Sequence, residues 1–331
     1  MTHPQTPSAA RAPLVRVTRR SPCPVCGKPD NCAVSQDGRV AYCRRRPSDR
    51  RGRDGGWTHF LDGMQPAARR GPGSAPPPPA RDRAPAEVRD RVYRAMLSAL
   101  TLSPAHADHL LGARGLSHEA VGRNLYASCP APADMHRLCA DLSARFDLAG
   151  VPGFFRSPGG DWKLTTCAPG ILVPVRDPEG RVSALQLRRD EGEPRYLLLS
   201  SARHDGGASS HAPTHFANVW ALEKAGRAVI TEGALKGDVV ADRLQACVVA
   251  LAGVSTFTEG FGHELRRRLP RLRHADVCFD ADFRTNPHVR AALFRLLREL
   301  SSARIAASVR TWPARHKGFD DFLIEGRVSA A

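Results

Sequence analysis

From position 226 to 326, short apolar runs alternate with stretches whose apolar residues recur every three or four positions. The runs are 228–231, 248–251, 277–279 and 305–309, each of strand length. The stretches between them, 234–244, 259–269 and 287–300, carry helical spacing, the last opened by Asn286 as N-cap and Pro287 in the first turn. This rhythm predicts a parallel sheet covered by helices. Upstream the texture differs. Residues 171–175 form one apolar run, Asp177-Pro178-Glu179-Gly180 a turn, and 182–187 alternates with period two. These predict a hairpin, followed by a third strand at 195–199. Earlier still, Val88, Val92, Met96 and Leu100 place a helix over 87–100. Ser103-Pro104 starts another, Gly115-Leu116-Ser117 ends it and caps the next, and 134–146 is a further helix.

Breaks in these patterns divide the chain. Residues 1–20 read as a disordered basic tail and 21–62 as a compact cysteine-bearing unit. Residues 63–86, with Pro76-Pro77-Pro78-Pro79, form a Pro/Arg-rich linker unable to bury a core. A helical segment spans 87–165, a basic β-rich segment 166–225, and the strand–helix domain 226–326. The fold class is α/β, in a multi-domain α+β chain. No internal repeat is evident.

Charge and cysteine usage add a partner and a compartment. The 331 residues carry a net charge of +16, and residues 1–70 supply +9 of it, with fourteen Lys/Arg against five Asp/Glu. Such asymmetry suits a polyanion, most simply nucleic acid. No apolar stretch reaches the roughly 18 residues of a membrane span, and residues 1–20 lack the apolar core of a secretion signal. Four of nine cysteines crowd into 23–43, which points to a reducing, cytoplasmic setting and a metal site rather than disulfides. Their spacing is Cys23-x2-Cys26-x5-Cys32-x10-Cys43, with a turn at 35–39 to bring Cys43 back beside the first pair. Four thiolates suit a closed structural Zn²⁺ in a small β-ribbon. Arg44, Arg45 and Arg46 follow and would face phosphate. Cys129, Cys139, Cys167, Cys247 and Cys278 read as small buried apolar residues.

The candidate chemistry is acidic. Glu232, Asp280 and Asp282 each come directly after a predicted strand, and Asp320-Asp321 lie in Gly318-Phe319-Asp320-Asp321-Phe322. Residues just past the C-termini of parallel strands line the ligand crevice. Carboxylates gathered there hold divalent cations. The bland alternatives are helix-start acids at Glu232 and Asp320 and a capped loop at Asp280 and Asp282. Three strand-end acids on one edge make a poor coincidence. Two short helices about Gly115 suit either helix-turn-helix DNA binding or, more commonly, plain packing.

Glu232-Gly233 after one strand and Asp280-x-Asp282 after a later one resemble the Toprim domain of DnaG-type primases, topoisomerases and related nucleases. Pro174-Val175-Arg176-Asp177-x-x-Gly180-Arg181-Val182 and Arg195-Tyr196-Leu197-x-x-Ser200-Ser201 resemble the basic lead-in subdomain of a bacterial primase core. The order zinc ribbon, linker, core is the primase order as well. Glu232-Gly233-Ala234-Leu235-Lys236 and Lys317-Gly318-Phe319-Asp320-Asp321-Phe322-Leu323 look closer still to primase-like proteins of phages and plasmids, many left as domains of unknown function. The likeness covers 21–60 and 170–326. It departs from the DnaG pattern at Lys236, where those primases have an acid and type IA topoisomerases a lysine. The late acidic motif is shortened to Asp320-Asp321, and Cys32 stands in for the second zinc knuckle.

The resemblance implies template-directed primer synthesis on single-stranded DNA from nucleoside triphosphates. Asp280, Asp282 and Asp320 or Asp321 would hold Mg²⁺ or Mn²⁺. Glu232 would complete the shell or act as base, and Lys236 would contact phosphate. Arg188, Arg189 and Arg195 would bind template or nucleotide phosphate. The chain lacks a Gly-x4-Gly-Lys-Ser/Thr loop, so a separate replicative helicase is the expected partner. Two alternatives stay open: a Toprim nuclease using the same acids, and a non-catalytic zinc-dependent single-strand-binding replication factor.

Overall fold

Four short antiparallel strands, paired in chain order, build the N-terminal unit: β1 (Leu14–Arg16), β2 (Ala33–Ser35), β3 (Val40–Cys43) and β4 (Trp57–Phe60). The computed structural model describes residues 14–36, 38, 40–48, 56–61, 82–166, 168–192, 194–254, 256–313 and 315–328. They fall into two units, 1–76 and 77–331. Most of the linker 63–86 and Cys167 lie outside the described residues. The tail expected over 1–20 is ordered at its end, where Leu14 pairs with Ser35 and Arg16 with Ala33. The side chains of β1 are exposed, so the strand is held by its backbone and by Val17, which packs on Cys23, Cys32 and Cys43. Apolar patterning cannot reveal a strand of that kind.

The second unit opens with α1 (Ala86–Ser98) and α2 (Pro104–Asp108), which runs into one π-turn over His109–Ala113. Then come α3 (His118–Arg123), β5 (Ala127–Ser128) and α4 (Pro132–Arg145). Ser103 and Ser117 cap α2 and α3 as expected, each hydroxyl accepting an amide three residues on. The stretch 87–165 is not wholly helical. It also holds β5 and a small hairpin, β6 (Phe154–Arg156) with β7 (Trp162–Leu164). Strands of two and three residues are too short to show a period.

β8 (Gly170–Arg176), β9 (Val182–Arg189) and β10 (Tyr196–Leu198) form the expected hairpin and third strand, in the order β10-β9-β8-β5. Alternation along β8 and β9 serves two cores. Leu172, Leu185 and Leu187 meet Tyr93, Met96 and Leu142 of α1 and α4. Ile171, Val173 and Val175 meet Leu110 on the other side, together with Leu235 and Val239 from the helix that follows the first parallel strand.

The last part contains β11 (His215–Ala217), α5 (Leu222–Ala225), β12 (Arg227–Glu232), α6 (Ala234–Leu244), β13 (Cys247–Leu251), α7 (Phe261–Arg268), β14 (His274–Val277), α8 (Pro287–Ser302), β15 (Ala306–Val309) and α9 (Phe319–Val328). Its sheet has the order β11-β13-β12-β14-β15. Four strands are parallel, and β11 is an antiparallel edge beside β13. Helices cover both faces. Ile230, Val249 and Val277 pack with Leu265, Leu293 and Leu296 of α7 and α8. Val229 and Val248 pack on the opposite face with Val240 of α6 and with Phe319 and Phe322 of α9. β14 starts earlier than its apolar residues suggest. Asp276 is buried within it because Arg310 and Arg227 neutralise it at 2.8 and 3.0 Å. Among the described residues no helix is long and apolar enough to cross a membrane.

Candidate active site

Every group of the candidate site sits where a strand or a helix ends. β12 delivers Glu232 to the C-terminal edge of the sheet. The chain then turns through Gly233, at φ 80° and ψ 134°, a conformation open to glycine and strained for other residues. This turn starts α6 at Ala234 and places Lys236 in its first turn. Asp280 lies three residues beyond the end of β14, and its amide donates to Glu232 Oε1 at 3.4 Å. The Asp282 side chain lies outside the described residues. Lys236 Nζ donates to both oxygens of Asp280, at 2.6 and 2.8 Å. Burial opposes the charge on Lys236. Asp280, with help from Asp320 and Glu232, outweighs it, and the lysine pKa rises above its ordinary value.

The start of α9 separates the two late acids. Asp321 Oδ2 accepts the Gly318 amide at 3.0 Å, so this residue caps the helix. Asp320 is 1% exposed and faces the site, where Arg114 donates to its Oδ2 at 2.5 Å. Its Oδ1 is buried without a partner. Burial raises the Asp320 pKa, and Arg114 and Lys236 only partly counter it. Gly318 closes the group. A Cβ there would stand 3.3 Å from Lys236 Nζ and 3.4 Å from Asp280 Oδ1 and would overlap Asp320 Oδ1. Three charged atoms therefore surround one point, which only a glycine leaves free.

Arg114 is the residue that the motifs do not show. It stands at the end of the π-turn, where such irregularities often mark working positions. It lies 206 positions from its partner Asp320, and its local signal is an arginine between that helix and the turn at Gly115. It belongs to a cluster of positive charge. His109 is held neutral, its pKa pushed down to about 4 by burial and then by Arg188, Arg114 and Arg195. Among the described residues, the Arg188 and Arg195 side chains have neither a carboxylate nor a hydrogen-bond partner. Arg189 does not join them. A strand turns successive residues to opposite faces, and Arg189 folds back onto the Pro194 carbonyl at 2.7 and 3.0 Å.

The acids are not gathered into one ligand shell. Among the described residues, the only group with three or more ligand atoms within 4.8 Å of one another is Cys23, Cys26, Cys32 and Cys43. Lys236 and Arg114 hold Asp280 and Asp320 to themselves. The donor set still fits a hard cation in kind, since it is all oxygen, and the orphaned Asp320 Oδ1 is a buried acceptor in need of a positive partner.

The four cysteines fit zinc closely. Cys26 Sγ stands 3.8 Å from Cys32 Sγ, which is 4.0 Å from Cys43 Sγ. Thiolates about 2.3 Å from a central Zn²⁺ sit about 3.8 Å apart, whereas a disulfide is far shorter. Cys32 is thereby placed in the set. The Arg45 and Arg46 amides donate to Cys43 Sγ at 3.4 and 3.3 Å. The Arg45 guanidinium binds Asp30 and Cys32 Sγ, so Arg45 buttresses the metal centre rather than reaching for phosphate. Arg44 and Arg46 are exposed.

α6 carries a second polar centre two residues past Lys236. Asp238 accepts from Arg176 at 2.5 Å, Tyr126 at 2.6 Å and His215 Nε2 at 3.0 Å; Asp238, Tyr126 and His215 are buried and Arg176 is partly buried. A cavity of about 410 Å³ opens beside this network, next to Arg94, Arg123 and Trp220. Its arginines are each already paired, with Asp90, Glu119 and Asp238.

Known proteins agree with this architecture. A family described only as a domain of unknown function, DUF3854, matches residues 219–330. No curated protein sequence matches the chain. Among solved structures, the Aquifex aeolicus primase (zinc-binding and RNA polymerase domains) is similar with a TM-score of 0.57 at 16% identity, over 72% of this chain and 58% of that one. The chain thus spans under two thirds of that relative. A DnaG primase catalytic domain bound to ssDNA gives 0.53 at 16% identity, over 72% and 75%. The RNA polymerase domain of Mycobacterium tuberculosis primase DnaG gives 0.53 at 17%, over 73% and 83%. At these identities the likeness shows a shared fold.

Proposed function

We propose that this chain is a DnaG-type, primase-like nucleotidyltransferase that lays short primers on single-stranded DNA from nucleoside triphosphates. The observation that carries the reading is the meeting of two charge clusters on a primase-core fold. Arg188, Arg195 and Arg114 all act on His109, and Arg114 reaches on to Asp320 in a crevice built by Glu232, Lys236, Asp280 and Asp320. A polymerising site needs both halves: cations for template and triphosphate, and carboxylates where the 3′-hydroxyl is activated.

Arg188 and Arg195 bind phosphate, and their lack of protein partners leaves them free to do so. Lys236 meets the triphosphate as a point charge. Glu232 accepts the proton of the attacking hydroxyl, while the new O–P bond forms and pyrophosphate leaves. A divalent ion, when bound, would be held by Asp280 and Asp320 and would neutralise charge at the triphosphate. The zinc unit is a fold element with no open coordination position.

The test is primer synthesis on single-stranded DNA with labelled ribo- and deoxyribonucleotides and Mg²⁺ or Mn²⁺. Short products are expected from the wild type, reduced roughly 100-fold or more in Asp280→Asn. Absence of product would overturn the reading, and strand cleavage without nucleotides would move it to the nuclease. A binding prediction accompanies it. Arg188→Ala and Arg195→Ala should weaken single-strand binding and reduce its salt slope by about 0.7 each. An unchanged slope in a fluorescence titration would remove them from the interface.

A further inference from the structure

Lys236 occupies an unusual place. Its ammonium is bonded to both oxygens of Asp280, and it borders the point that Asp320 Oδ1 also faces. Asp320 is 1% exposed and its Oδ1 has no partner, so one buried acceptor at this point remains unanswered. A divalent ion held by Asp280 and Asp320 would share the crevice with the ammonium, and like charges close together in a half-buried crevice repel strongly. The bare ion and the lysine therefore compete for Asp280. The lysine stem is flexible enough to turn to another anion.

We propose that Lys236 is the resident cation of the site, handed from Asp280 to an incoming polyphosphate, so that divalent ion and triphosphate enter together. The inference deepens the nucleotidyltransferase reading and rests on it for the identity of the polyphosphate. It gives the site a safeguard: without nucleotide the carboxylates are already neutralised, and a stray metal ion finds Asp280 taken.

The test uses the zinc-loaded full chain without template, so it stands apart from any failure of primer synthesis. Mn²⁺ binding is followed by electron paramagnetic resonance. Lys236→Gln is expected to bind Mn²⁺ roughly tenfold or more tightly than wild type, and adding Asp280→Asn should abolish the gain. Unchanged or weaker Mn²⁺ binding in Lys236→Gln would overturn the proposal. The reciprocal arm measures inorganic triphosphate by calorimetry in the absence of divalent ions. Asp280→Asn frees the lysine and should tighten triphosphate binding several-fold, an effect lost when Lys236→Gln is added. No tightening in Asp280→Asn would also sink the idea, even if Lys236→Gln proved too unstable to titrate.

Discussion

Stripping zinc with a strong chelator is expected to unfold residues 14–61 outright while the second unit stays folded. The reason lies in what the N-terminal unit buries. Its core is Val17, Cys23, Cys32 and Cys43, with Val25, Cys26 and Val34 packed against them. So small a cluster cannot offset the ordering of some forty residues. Four thiolates on Zn²⁺ contribute about 10–16 kcal/mol of apparent binding free energy, which here becomes folding free energy. One zinc released per chain, four thiols becoming titratable and loss of amide protection in β1–β4 are the expected results. Cys32→Ser should behave like Cys43→Ser, because both sulfurs sit at tetrahedral-edge distance. Protection that persists in β2 and β3 after chelation would refute the account.

Asp238→Asn should destabilise the second unit by about 3–5 kcal/mol, the usual cost of stranding a buried charge. The substitution removes the counter-charge of Arg176 and leaves His215 on a neutral amide oxygen in place of a carboxylate, joining β8, β11 and α6 less firmly. The pH dependence follows from the same groups. Burial pushes the His215 pKa down, and the ring must stay neutral because its Nδ1 accepts the Arg176 amide at 3.0 Å. The unfolded chain therefore takes up a proton that the folded one refuses, and stability starts to fall once pH drops below 6.5. Burial works against the Asp238 carboxylate, but Arg176 and His215 overcome it and lower its pKa to about 2. Its contribution is full above 3.8 and is lost as pH falls through about 2. Thermal melts of wild type and Asp238→Asn should converge at the acid end. A constant gap from pH 7 to 2 would contradict the assignment.

How far the sequence reveals this molecule depends on how far each residue's partners lie along the chain. The parallel strands are legible because burial on both faces makes β12 and β13 continuous apolar runs. Glu232 and Asp280 are legible because a strand end announces its edge. The choice between Asp320 and Asp321 is not, since a helix turns neighbours about 100° apart and only the fold says which one faces inward. Arg45 likewise separates from Arg44 and Arg46 only once Asp30 is brought back beside it. β11 is short, antiparallel and at an edge, and three residues carry no rhythm. Arg114 could not be found by motif, for its meaning comes entirely from Asp320.

That last pairing also sets an order of events. Contacts across long sequence separations close large loops and arrive late in folding. The Arg114–Asp320 bridge spans 206 positions, whereas Lys236 meets Asp280 across 44. A partly folded chain would therefore hold the lysine–aspartate half of the crevice before α9 docks and brings in the arginine half. Competence would be a late arrival in the life of each molecule, reached only when its last helix closes against its first ones.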